Sequence, residues 1–340
     1  MVGRGCLLGV VAVIALGAFV LTTRPRRPPA TPVAHPLSPP AAVVVTAPRT
    51  TTTVPPPYRP PAVKPLVSPA QPGEGEWLPL DTWNPGPPSI LATTFRPDPT
   101  QPAVTAYAAW IRTSSAQLAL YPGYKGPGPT ASGVDRGPEM VPQAARRDLL
   151  ATFNSGFYEA DAAGGFYTHG TLYFPMVNGL GTLVAYRNGR VDVVDWTGGP
   201  KPGADVIMAR QNLPLIVDDG VPNPALDTSF RWGLTLHGVP AVWRTALGID
   251  RGGNLLYVAA PSQTAPSLAH VLIELGAVRG IQLDINPEWP IFLSYGGAGA
   301  LGPSLFVPNP NQTPQRFLYQ STKDFFAVYR RSVAAAAPPW

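Results

Sequence analysis

Two carboxylates stand four residues apart in the run Asp284-Ile285-Asn286-Pro287-Glu288-Trp289, which follows residues 278–283, a stretch that reads as a buried strand. Carboxylates at a strand end can act as general acid and base, and the proline between them bends the chain so that the second can approach the first. The alternative for Asp284 is a turn cap, and for Glu288 a solvated side chain. Trp289, beside Asn286, offers an aromatic face on which a sugar can stack. His169, in Tyr167-Thr168-His169-Gly170, is a proton carrier, a phosphate ligand or a structural histidine. Asp218-Asp219-Gly220 is either a turn or a set of oxygen ligands for a hard divalent cation such as calcium. His169, His237 and His270 show no metal-ligand spacing, which argues against zinc.

These residues need elements to hold them. A helix is expected from Pro266, with Leu268, Val271, Leu272 and Leu275 on one face and Gly276 as its stop. The strand ending at Asp284 follows at once. Short strand-like runs occupy residues 103–112, 117–120, 183–186, 191–194, 206–210, 255–260, 291–294 and 325–329. Arg187-Asn188-Gly189-Arg190 reads as a hairpin turn. Gly296-Gly297-Ala298-Gly299 lacks the lysine and flanking elements of a nucleotide loop and is expected to be a mobile loop near the site. The expected fold class is α+β, a single domain of mixed, mainly antiparallel sheet with few helices.

The chain has 340 residues, 45 of them proline, and the folding part is preceded by segments of another character. Residues 5–23, between Arg4 and Arg24, are 19 uncharged and mainly apolar residues, enough for one membrane-spanning helix. The end of that run lacks the small residues of a cleavage site, so an uncleaved anchor is expected. Residues 24–75 are rich in Pro, Thr, Ala and Val and are expected to form a disordered linker that holds residues 76–332 away from the membrane. Residues 1–4 and 333–340 are short tails. Arg24, Arg26 and Arg27 would by themselves favour a cytoplasmic domain, but the Pro/Thr stalk argues for a single-pass protein whose domain lies outside the cytoplasm.

The net charge of +5 is misleading as to partners. Seven basic residues precede the first acid, Glu74, leaving 18 basic against 20 acidic residues beyond it, so the folding part has no basic footprint for nucleic acid. Cys6 is the sole cysteine, which excludes a disulfide framework and thiolate metal sites.

Three separated segments resemble the phosphodiester glycosidase family, the group that includes the uncovering enzyme. They are Ala151-Thr152-Phe153-Asn154-Ser155-Gly156-Phe157-Tyr158, residues 210–220, and Arg244-Thr245-Ala246-Leu247-Gly248-Ile249-Asp250 with the helix and strand leading to Leu283-Asp284. The chain departs from the family in having Ile285-Asn286-Pro287-Glu288-Trp289 where a Gly-rich run usually follows the aspartate. The resemblance implies hydrolysis of the bond between a sugar and a phosphodiester oxygen; Asp284 is the candidate catalytic carboxylate, and Glu288, outside the matching motif, is the candidate for a second by its spacing. It implies that Arg244 grips the phosphate through its guanidinium fork, or forms a salt bridge with Asp250 or Asp284. Asn154 matches the family's asparagine, which implies that it holds a sugar hydroxyl or orients water; its alternative is to close its own turn. His169, Asn286 and Trp289 are further substrate-site candidates on their own chemistry. The partner would be an envelope glycan or sugar-phosphate polymer. Some family members carry a divalent ion; no other cofactor is implied. A non-catalytic glycan-binding module on the same fold is the alternative, and a metal-dependent phosphodiesterase attacking phosphorus is a third reading.

Overall fold

The computed structural model describes residues 58–81, 86–128, 136–162, 164–296 and 302–331. The expected anchor at 5–23, most of the linker, the C-terminal tail and Gly297 to Gly299 lie outside these residues. Among the described residues no helix is long and apolar enough to cross a membrane.

Three antiparallel sheets carry the fold. The largest has eight strands in the order β1 (Leu78–Pro79), β2 (Ile90–Phe95), β3 (Ala106–Ile111), β14 (Leu255–Gln263), β13 (Val242–Asp250), β15 (Ala277–Ile285), β11 (Val217–Asp218) and β12 (Val221–Pro222). A second has the order β17 (Ser304–Leu305), β16 (Phe292–Ser294), β5 (Leu149–Asn154), β18 (Phe325–Arg330) and β4 (Ala116–Tyr121). The third runs β7 (Thr171–Phe174), β6 (Phe166–Thr168), β10 (Val206–Gln211), β8 (Gly181–Tyr186) and β9 (Val191–Asp195). One face of the large sheet contributes Leu247, Tyr257, Ile281 and Leu283 to a core shared with Phe153 and Phe326 of the second sheet and Phe166 and Leu183 of the third. Its other face is covered by α2 (Ala265–Glu274), whose Leu268, Val271 and Leu272 pack on Ala246, Leu256 and Val258. Thr264 caps this helix in a reciprocal box with Ser267, and Gly276 ends the turn at φ 93°. The other α-helix described, α1 (Glu159–Ala162), is a single turn.

The mainly antiparallel architecture with few helices is the one expected. The β8–β9 hairpin forms where Asn188-Gly189 marked it, although Gly189 alone of that pair takes a positive φ, at 84°. The linker boundary differs. Residues 58–75 lie against the domain: Val63 is buried, its N–H bonds the Gly75 carbonyl at 2.9 Å, and Trp77 Nε1 donates to the Pro61 carbonyl at 2.8 Å. Glu74 forms a buried ion pair with Arg96 at 2.6 Å, and these bonds hold its carboxyl down at about 2. A proline-rich composition indicates extended backbone, but the few apolar and acidic side chains in that stretch suffice to dock it.

Candidate functional site

Asp284 lies near the end of β15, the central partner of β13 and β11. The pairing of Ala246 with Gln282 and of Arg244 with Ile285 leaves one extra residue in β15, a bulge that interrupts the alternation of the strand. The backbone groups of Asp284 are satisfied outside the ladder: its N–H donates to the Ser155 carbonyl at 3.2 Å, and its carbonyl accepts from Thr245 Oγ1 at 2.7 Å.

The carboxyl of Asp284 is 1% exposed and accepts a hydrogen bond from Lys323 Nζ at 2.5 Å on Oδ1. Oδ2 has no hydrogen-bond partner among the described residues. Burial pushes the carboxyl up to about 6; the ion pair with Lys323 pulls it down, Asp324 pushes it up and Arg210 pulls it down. Asp284 and Lys323 line a cavity of about 520 Å³ whose aromatic and apolar walls include Phe157, Tyr158, Phe230 and Trp289. Lys323 Nζ lies 4.4 Å from the centre of the Tyr158 ring and 4.6 Å from that of Trp289, and the two rings meet edge to face. Arg231 and Asp161 contribute opposite charges to the same cavity.

Lys323 is held from two sides. Its segment runs along residues 124–126, with Tyr124 N–H bonding the Ser321 carbonyl at 2.9 Å and Gly126 N–H bonding that of Thr322 at 2.9 Å. Gly123 is needed there, since a Cβ would sit 2.4 Å from the Lys323 carbonyl carbon. The next residue, Asp324, is buried and accepts from Arg210 Nε at 2.8 Å, while Arg210 Nη2 donates to the Phe157 carbonyl at 2.5 Å. One guanidinium thus joins β10, the approach to β18 and the turn after β5.

The residues singled out in the sequence fall into three groups. Asp284, Asn286 and Trp289 line the cavity. Asn286, at φ 72°, accepts from Leu236 N–H at 3.1 Å, and Asn309 Nδ2 fixes the following turn by donating to the Pro287 and Pro290 carbonyls, each at 2.8 Å. Arg244 and Asn154 lie behind the site. Arg244 is 3% exposed and donates to the carbonyls of Gln263, Trp232 and Pro240 and to Gln282 Oε1, so its fork is occupied by the protein itself. It pairs with neither Asp250 nor Asp284, and burial lowers its guanidinium to about 10. Asn154 Nδ2 donates to Thr245 Oγ1 at 2.9 Å, and its Oδ1 accepts from Tyr257 at 2.9 Å, a link that reaches Asp284 through Thr245.

Glu288 and His169 line other parts of the molecule. Glu288 is exposed and borders a neighbouring groove. His169 occupies the β6–β7 turn at φ 52° against the ring of Tyr121, and burial lowers its imidazole to about 4. Asp218 and Asp219 close their own turn, Asp219 N–H donating to Asp218 Oδ1 at 3.1 Å. Among the described residues no group of three or more His, Cys, Asp or Glu could hold a metal ion.

Lys323 was not anticipated. The chain has only four lysines against many arginines, and this one stands with Asp324 immediately before an apolar strand, which is the signal that could have marked it. The arrangement presents a carboxyl able to exchange a proton near neutral pH, a buried cation against it, and two aromatic walls. It suits an acid–base step on a ligand with both apolar ring faces and developing negative charge.

No family model matches the chain, and no curated protein matches it. Among solved structures it is similar to the catalytic domain of zebrafish N-acetylglucosamine-1-phosphodiester alpha-N-acetylglucosaminidase, described as auto-inhibited by its pro-peptide, at 15% identity over 75% of this chain and 88% of that one, with a TM-score of 0.47. It is also similar to a hypothetical protein from Synechocystis, at 13% identity over 67% of this chain and 59% of that one, with a TM-score of 0.38. Likeness at this level says nothing about activity.

Proposed function

We propose that the protein hydrolyses the bond between a sugar and the oxygen of a phosphodiester in the cell envelope, with Asp284 as the general base. The reading is supported by one observation above the others: the raised Asp284 carboxyl bonded to Lys323 in a cavity walled by Tyr158 and Trp289. The sugar stacks on Trp289. Asp284 takes a proton from water, the water oxygen bonds to the anomeric carbon, and the bond from that carbon to the phosphate oxygen breaks with its electron pair leaving on the phosphate. A phosphate leaves readily as an anion, so the step asks more for cationic stabilisation than for a strong acid, and Lys323 and Arg231 supply it. The 19-residue apolar stretch supports a second part of the proposal, a membrane anchor, and the Pro/Thr-rich stretch after it supports placing the domain outside the cytoplasm.

The full chain is expected to release free sugar from a glycosyl phosphodiester, and Asp284→Asn, folded by circular dichroism, to lose at least a hundredfold in kcat. In labelled water the heavy oxygen enters the sugar; entry into phosphate would mean attack at phosphorus. Inactivity across a broad panel of diesters, with glycan binding that survives Asp284→Asn, would replace the enzyme by a glycan-binding module.

A further inference from the structure

Beside the Asp284 cavity lies a second groove of about 500 Å³, walled by Leu236, Val239, Val242, Trp243, Pro261 and Pro287. Asn286 lines both spaces, so the two adjoin at that residue. One stretch of chain walls them in turn, with Phe230 and Leu234 at the cavity and Leu236 and Val239 at the groove. These four side chains are 54%, 75%, 46% and 49% exposed. Four large apolar groups left in water within ten residues mark a contact surface for an apolar ligand rather than scattered exposure. The stretch is held by its backbone: Asn286 Oδ1 accepts from the Leu236 N–H at 3.1 Å and Asn286 Nδ2 donates to the Leu234 carbonyl at 3.4 Å, which leaves the side chains available.

Charge selects among ligands. The groove lining includes Glu288 and His237 and, among the described residues, no Lys or Arg, so a chain of further phosphates would meet a carboxylate and no permanent cation. The cations, Lys323 and Arg231, are confined to the cavity side. A ligand that spans both spaces is therefore polar and anionic at one end and apolar at the other.

We propose that the groove binds the leaving side of the phosphodiester and that this aglycone is an alkyl chain, so that the substrate is a lipid-linked sugar phosphate. This rests on the reading of Asp284 given above. Apolar area taken out of water adds to transition-state binding in proportion to chain length until the groove is filled.

The test uses the full chain and glycosyl methyl, butyl and hexyl phosphates below their micelle concentrations. In the wild type kcat/KM is expected to rise about fourfold for each methylene. In the Leu236→Ser, Val239→Ser double variant the ratio of hexyl to methyl values is expected to fall towards one. Turnover that is independent of chain length overturns the proposal. If no diester is cleaved, the catalytic reading fails separately, and calorimetry with hexyl and methyl phosphate judges the groove: tighter hexyl binding that the double variant abolishes upholds an alkyl site, and equal binding removes it. Lipid-vesicle binding weakened by the double variant, with no chain-length effect on soluble ligands, would assign the strip to membrane contact and overturn the proposal.

Discussion

Lys323 Nζ donates to Asp284 Oδ1 at 2.5 Å, joining the residue before Asp324 to the bulged end of a strand in a different sheet. The pair is buried on both sides, yet desolvation outweighs the lysine and the carboxyl stands at about 6, above its ordinary 3.8.

As a base, Asp284 works only when ionised. The rate is therefore expected to fall as pH drops through about 6, tenfold per pH unit below it. Lys323 pulls the carboxyl down, so Lys323→Met leaves burial less opposed and the acid limb of kcat/KM is expected to move to higher pH. A pH–rate series on both proteins checks the direction; an unmoved limb would detach the titration from Asp284.

Trp289 offers a ring to the ligand on the cavity side while Lys323 lies 4.6 Å from its centre. Trp289→Ala is expected to raise KM by about tenfold, equivalent to roughly 1.4 kcal/mol of lost stacking, with a smaller fall in kcat. Steady-state kinetics separates the two.

Arg244 is committed to carbonyl oxygens on three sides. Arg244→Lys cannot copy that fork, and thermal or denaturant unfolding is expected to show a loss of roughly 3 kcal/mol. KM for the diester, measured on folded protein, is expected to stay within twofold, in contrast to a phosphate-gripping role.

Gly123 matters to the site without lining it. Its missing Cβ leaves room for the backbone of Lys323. Gly123→Ala is expected to displace Lys323, lower kcat at least tenfold and weaken the Asp284 pair, while near-native far-ultraviolet circular dichroism reports that the sheets persist.

The helix over Asp284's strand and the strand itself were legible because their signals are local: Pro266, four apolar residues on one face, Gly276, then a short run carrying Val278, Ile281 and Leu283 up to the aspartate. Asp284 could be found from its position after that run. Lys323 could not be placed in the same way, because its partner comes from the pairing of β18 with β5 and from the loop at residues 124–126. Arg244 looked like an anion ligand because the carbonyls that occupy it come from Trp232, Pro240 and Gln263, on segments with no pattern of their own. β2 was missed because Ile90-Leu91-Ala92-Thr93-Thr94-Phe95 has no strict alternation, being buried along almost its whole length. Glu288 looked like a partner for Asp284 on spacing alone, whereas the turn fixed by Asn309 directs it to the groove.

The docking of residues 58–75 decides where the chain can be shortened. Arg96 receives Glu74 on its backbone N–H and on its guanidinium, and Pro69 supplies a further carbonyl at 2.7 Å. A protein starting at residue 76 would expose this arginine's pocket and remove Glu74, its ion-pair partner. A cut that leaves the domain unweakened must therefore fall upstream of Tyr58, and the shortened protein would keep its proline-rich collar.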